Sequence, residues 1–212
     1  VNGDLTLSAS FASVKIEGTT TFANAHLSGY YSSLGFGPGA VLTGNVLFEG
    51  AENGRRFVEM NGTSGTLTIG ATGSIRTVAG FGGAAFVGMG YRYGGDMTLV
   101  NQGTISSEEV SGRTISVELG SLTNSGTLQA TNGGGLSVYN VTSEVGGAIS
   151  VSGAGSVLSL GGSWSNSGSM SVTGGTLNLG GTFALANLNL PAFTRMMDVC
   201  RRVASALGRE IG

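Results

Sequence analysis

A single histidine, His26, is the one imidazole available for general acid–base work, and it sits in "FANAHLSG". A Ser-His-Asp device would have to use it. No nucleophile elbow lies nearby, and a surface or loop histidine accounts for it. Aspartate is scarce: Asp4, Asp96 and Asp198. Arg92 and Asp96 stand together in "YRYGGDM", the nearest approach to a catalytic pair, and a solvated loop explains them as well. Glu49 and Glu52 are three residues apart in "FEGAE", followed by Arg55, Arg56 and Glu59. Paired carboxylates serve glycoside hydrolysis, but arginines this close make a charged turn the simpler reading. Glu108 and Glu109 read the same way. One cysteine, Cys200, excludes an intramolecular disulfide, and one Cys with one His cannot supply the usual four ligands of structural zinc. No glycine-rich stretch matches a phosphate loop, since "GGGLSV" leads into a strand and no Lys-Ser/Thr follows. The calcium-binding nonapeptide, with its repeated Asp, is also absent. The expectation is a non-enzyme without a cofactor.

Aromatic side chains offer a different chemistry. Tyr30, Tyr31 and Phe36 fall in residues 28–39, and Phe81, Phe86, Tyr91 and Tyr93 in residues 80–97. Aromatics on loops above a rigid scaffold bind sugars or protein surfaces; they also fold back to cover a scaffold. Tyr30, Tyr31, Phe36, Tyr91, Arg92, Tyr93 and Asp96 are the candidate ligand-contact residues.

The elements that must carry these loops follow from a repeat. The turn glycines Gly103, Gly126, Gly147 and Gly168 are 23, 21 and 21 residues apart. Each opens an alternating strand with Ile105, Leu128, Ile149 and Met170 in register, then Ser107, Ala130, Val151 and Val172. Period two puts these side chains on one face. A second strand brings Ile115, Leu136, Leu158 and Leu177, then Val117, Val138, Leu160 and Leu179; the residues between (Ser116, Ser137, Ser159, Asn178) face solvent. A third contact reads Leu99, Leu122 and Trp164, with Ser143 as the exception. A turn asparagine recurs as Asn101, Asn124 and Asn166, with Val145 in its place once.

A unit of this size buries its inner face only by stacking on its neighbours. The fold class is therefore all-β: a parallel β-helix, or β-solenoid, of about 21 residues per rung, giving roughly nine rungs over residues 1–190. Forty glycines among 212 residues suit the corners. Residues 28–39 and 80–97 read as loops inserted into the rungs. Residues 191–212 form a second region: "PAFTRMMDVCRRVASALGREIG" predicts a short C-terminal helix starting at Pro191, with Phe193, Met196, Met197, Cys200, Val203, Ala204 and Leu207 on one face. It caps the last rung, begins a linker or next domain, or is unrelated sequence.

A net charge of −2 gives no electrostatic case for nucleic acid. No apolar run reaches a membrane span. The chain opens Val-Asn-Gly-Asp, without a signal-peptide pattern, and the expectation is a part of a longer or processed protein.

The units "LTNSGTLQATNGGGLSV" and "WSNSGSMSVTGGTLNLGG" resemble repeats of bacterial autotransporter passengers and filamentous-haemagglutinin-like adhesins. The resemblance is clear over residues 97–183 and loose before them. It implies an exported, right-handed β-helix at the bacterial cell surface or secreted, serving as stalk, adhesin or scaffold, with host or environmental glycans or surface proteins as partners. It transfers no site residue. The alternatives are a polysaccharide lyase or hydrolase, which predicts acids converging with Arg92 and Asp96 in one groove, and an ice- or glycan-binding module, which predicts a flat Thr or aromatic face.

Overall fold

The computed structural model describes residues 3–109, 112–144, 146–184, 186 and 188. The predicted C-terminal helix and the residue Val145 lie outside them. Three parallel sheets run the length of the molecule, two of eight strands and one of six. We call them sheets A, B and C in the order the chain meets them. Each inner circuit visits A, B and C in turn, while the first and last have strands only in A and B; successive circuits pair in parallel, so every strand inside a sheet is hydrogen-bonded to the strand one coil before and one coil after. This is the parallel β-solenoid that the repeat predicts. Among the described residues no helix is long and apolar enough to cross a membrane.

Stacking follows directly from the alternation. Val46, Ile75, Ile105, Leu128, Ile149 and Met170 occupy one column inside sheet A. Val58, Val87, Val117, Val138 and Leu160 do so inside sheet B. Leu67, Leu99, Leu122 and Val141 line sheet C. All are buried. Like stacks on like, so each rung removes its neighbour's apolar face from water.

The coil number is eight, not nine. Register in sheet A advances 20 residues from Leu7 to Leu27, 21 to Phe48, then 29 to Thr77. It advances 30 from Ile75 to Ile105, then 23, 21 and 21 to Leu128, Ile149 and Met170. The long third and fourth coils absorb the residues assigned to a ninth. First and last coils are about 34 Å apart at ~4.8 Å per step.

The third contact is corrected by two residues. Val141 pairs with Leu122, and Ser143 pairs with Asn124. Ser143 is thus no exception in the apolar column; it stands in the asparagine column, where Asn101, Asn124, Ser143 and Asn166 follow one another. Asn101 Nδ2 donates to Asn124 Oδ1 at 2.7 Å, and Asn124 Nδ2 donates to Ser143 Oγ at 3.2 Å. These side chains are buried at the corner between sheets C and A, so the ladder replaces lost water contacts.

Candidate functional site

The outer face of sheet B gathers most of the predicted contact residues, though not as two loops. Residues 28–39 are no inserted loop: Ser32–Phe36 is a sheet B strand buried on both sides. Phe36 lies in the core at 0 % exposure, out of reach of a ligand on that face. Residues 80–97 likewise contain a strand, Ala84–Val87, with Ala85 and Val87 inside and Phe86 outside. Phe81 packs at the A-to-B corner against Phe48. The true insertion is residues 88–96, between sheets B and C.

That insertion folds back over sheet B. Its anchor is Glu59, an outward-facing carboxylate that is nonetheless fully buried. The backbone N–H groups of Tyr91, Arg92 and Tyr93 donate to it at 2.8, 3.0 and 3.1 Å, and the Ser33 hydroxyl donates as well. A carboxylate can accept about this many bonds, which offsets the cost of removing it from water. The strap brings Tyr93 down onto Gly35, where an added Cβ would stand 2.6 Å from the Tyr93 ring. Only glycine admits the ring at that height. Lys15 Nζ lies 4.8 Å from the centre of the Tyr93 ring.

Tyr91 stacks on Phe57 at 4.5 Å and 10°, and Phe57 stacks on Phe86 at 5.5 Å. Tyr31 meets both Phe57 and Tyr91, at 6.0 and 5.0 Å. Tyr30 contacts Tyr31 at 4.6 Å, and Phe11 contacts Tyr30 and Tyr31 at 5.9 Å. An unbroken aromatic cluster therefore crosses the first four coils. Phe57 is its buried floor; Phe11, Tyr30 and Tyr91 remain 48, 36 and 43 % exposed. Phe11 and Tyr31 hold φ near +60°, a region costly for bulky side chains. The other non-glycine residues with positive φ among those described are Asn132 and Asn140, a residue type that tolerates this region better.

Arg92 and Asp96 share the strap, but no salt bridge joins them among the described residues; the Asp96 N–H instead meets Ser64 Oγ. The remaining acids diverge. Glu49 Oε1 accepts from His26 Nδ1 at 3.1 Å, and Asp4 lies 3.5 Å from His26 Nε2 on the outer face of sheet A. His26 is thus half-buried on a strand (Phe22–Leu27), not in a loop. The Asn24 side-chain hydrogen bond, aided by His26, holds Asp4 below its ordinary value. Glu108 lies 3.8 Å from Arg76, and Glu109 accepts from the Phe81 N–H. Arg56 points inward under Phe81 and donates to the Ser28 and Glu52 carbonyls; burial pushes its guanidinium below the ordinary range. Among the described residues no His/Cys/Asp/Glu group is arranged to hold a metal ion.

Three features were invisible in the sequence. In coils five to seven, the same face of sheet B carries a depression of about 300 Å³ lined by Thr114, Gly135, Ser137, Val157 and Ser159. At its sheet C edge an open recess of about 530 Å³ is lined by Glu118, Leu119, Tyr139 and Asn140. The Tyr139 ring lies across Gly161, just as Tyr93 lies across Gly35. On sheet C, Thr68, Val100, Thr123, Thr142 and Ser165 form one outward rank. The motifs "TLT", "TLV", "SLT" and "NVT" align only once the register of that sheet is known.

Comparisons with protein-family models, with curated proteins and with solved structures found no match. The fold itself defines the class: a β-solenoid repeat protein.

Proposed function

We propose that the chain is a rigid adhesive segment of a secreted or cell-surface bacterial protein, of the autotransporter-passenger or filamentous-haemagglutinin-like kind. The rod holds sheet B's outer face outward, and contact with the target is made there without catalysis. The observation that carries this reading is the exposed aromatic cluster of Phe11, Tyr30 and Tyr91, assembled on strained backbone and on a buried-carboxylate strap. Exposed rings in a contiguous patch favour a recognition surface. Each acid outside the strap is engaged in its own structural contact or lies apart, which favours binding over hydrolysis. The test is adhesion of protein-coated beads to bacterial, host-cell and hydrated-polymer surfaces. Tyr30→Ser/Tyr91→Ser should abolish selective attachment while circular dichroism stays unchanged. Equal attachment by both proteins would remove sheet B from the account.

A second reading rests on sheet C. Its rank of Thr68, Val100, Thr123 and Thr142 is regular and uncharged, which favours an ice-binding face. Thermal hysteresis in the purified protein, lost in Thr123→Lys, would support it; none would remove it.

A further inference from the structure

We propose, building on the adhesive reading, that sheet B binds an extended, neutral polysaccharide lying along the rod axis. Three observations point to that chemistry. The aromatic cluster runs lengthwise: Phe11, Tyr31, Phe57 and Phe86 stand in four successive coils. The spacing of about 4.8 Å per coil is close to the length of one sugar ring in an extended chain. A lengthwise track suits a polymer, where a compact ligand would need a closed pocket.

The track also continues. The depression over Thr114, Gly135, Ser137 and Ser159 extends it through coils five to seven with a floor of hydroxyls and glycine. Tyr139, 45 % exposed and packed over Gly161, supplies a further ring beside it. Phe57, Phe86, Ser116, Ser137 and Ser159 share one register column, so one chain along the axis can pass from the rings onto the hydroxyls. Sugar rings present flat C–H faces to aromatic rings and hydroxyls to their sides.

The charges select a neutral polymer. Arg55 and Arg113 flank the A-side edge, and Lys15 and Arg92 lie nearer the other edge with Glu17, Asp96 and Glu118; all seven are exposed. A polyanion is drawn by a field of one sign. Four cations against three carboxylates give no such field, and mixed signs suit hydroxyls, which both donate and accept.

Calorimetry would use dimers and hexamers of a neutral β-linked glucan and of chitin, with polygalacturonate as the anionic comparison. Proteins would be the intact chain, Tyr91→Ser and Tyr139→Ser, with circular dichroism to confirm folding. The proposal expects a neutral hexamer to bind at least about tenfold tighter than its dimer, with little salt dependence. Each substitution should weaken the hexamer by about fivefold to tenfold, the worth of one ring stack. Preference for polygalacturonate with steep salt dependence would overturn it. So would equal affinity for dimer and hexamer, or an unchanged affinity in both variants. If coated beads adhere but no sugar binds, the ligand assignment falls and the adhesive reading stands. If neither occurs, both fall.

Discussion

Replacing Glu59 with glutamine should free the strap of residues 88–96 while leaving the solenoid intact. The carboxylate receives three backbone N–H groups and one hydroxyl in a site closed to water. Glutamine keeps one acceptor oxygen and turns an NH₂ group towards donors. The three N–H groups all reach Oε2, so a glutamine oxygen there keeps them only as neutral bonds, each weaker by about 1 kcal/mol. A hydrogen bond to a charged group contributes about 1.5–3 kcal/mol. The freed strap regains water, so the net local cost is about 2–3 kcal/mol. That corresponds to roughly 30- to 150-fold more frequent opening. Hydrogen exchange followed by mass spectrometry is the direct assay. Amides of Tyr91, Arg92 and Tyr93 should exchange faster by that factor, while strand Thr127–Ala130, three coils away from the strand that carries Glu59, stays protected. The Tyr91–Phe57 stack should loosen in step. Unchanged exchange at residues 91–93 in a folded variant would refute the claim that Glu59 holds the strap.

Other consequences follow from the same contacts. Asn124→Ala removes the middle of the buried asparagine ladder and should cost about 1–3 kcal/mol in denaturant unfolding; a loss below about 0.5 kcal/mol, the level of ordinary surface substitutions, would deny the ladder its role. Gly35→Ala places a methyl 2.6 Å from the Tyr93 ring; the ring should lift and become more reactive towards a tyrosine acetylating reagent, and unaltered reactivity would contradict the close approach. Asp4 has its folded value lowered beneath 3.8 by Asn24 and His26. Its contribution is present above that pH and is lost as pH falls through the lowered value. Melting curves of the protein and of Asp4→Asn should therefore differ near neutrality and converge in acid below 3.8; a difference that grows in acid would reverse the sign.

The interior of the solenoid was legible because its code is local. Ile105, Leu128, Ile149 and Met170 repeat at nearly constant spacing, and period two assigns them to one face. The slip at Ser143 was invisible for the same reason. A shift of two residues keeps every side chain on its face, so alternation alone cannot detect it. Strand Ser32–Phe36 looks like a loop in sequence because it lacks alternation: Glu59 and Tyr93, 26 and 58 positions after the residues they meet, cover its outer side, and both faces are buried. Glu59 looked like part of a charged turn, since nothing near it in sequence shows that the strap's amides arrive 32 to 34 residues on. The candidate tyrosines were found from composition, but their merger into one face required the coil register, which sets Phe57 beside Phe86.

The most direct test of the account sets the two outer faces against each other in one adhesion assay. Beads would carry the intact protein, the sheet B variant Tyr30→Ser/Tyr91→Ser, or a sheet C variant Thr123→Lys/Thr142→Lys. All three must show the same circular dichroism. The account predicts that the sheet C variant attaches as the intact protein does and that the sheet B variant does not. Loss of attachment in the sheet C variant, with sheet B unimportant, would contradict it.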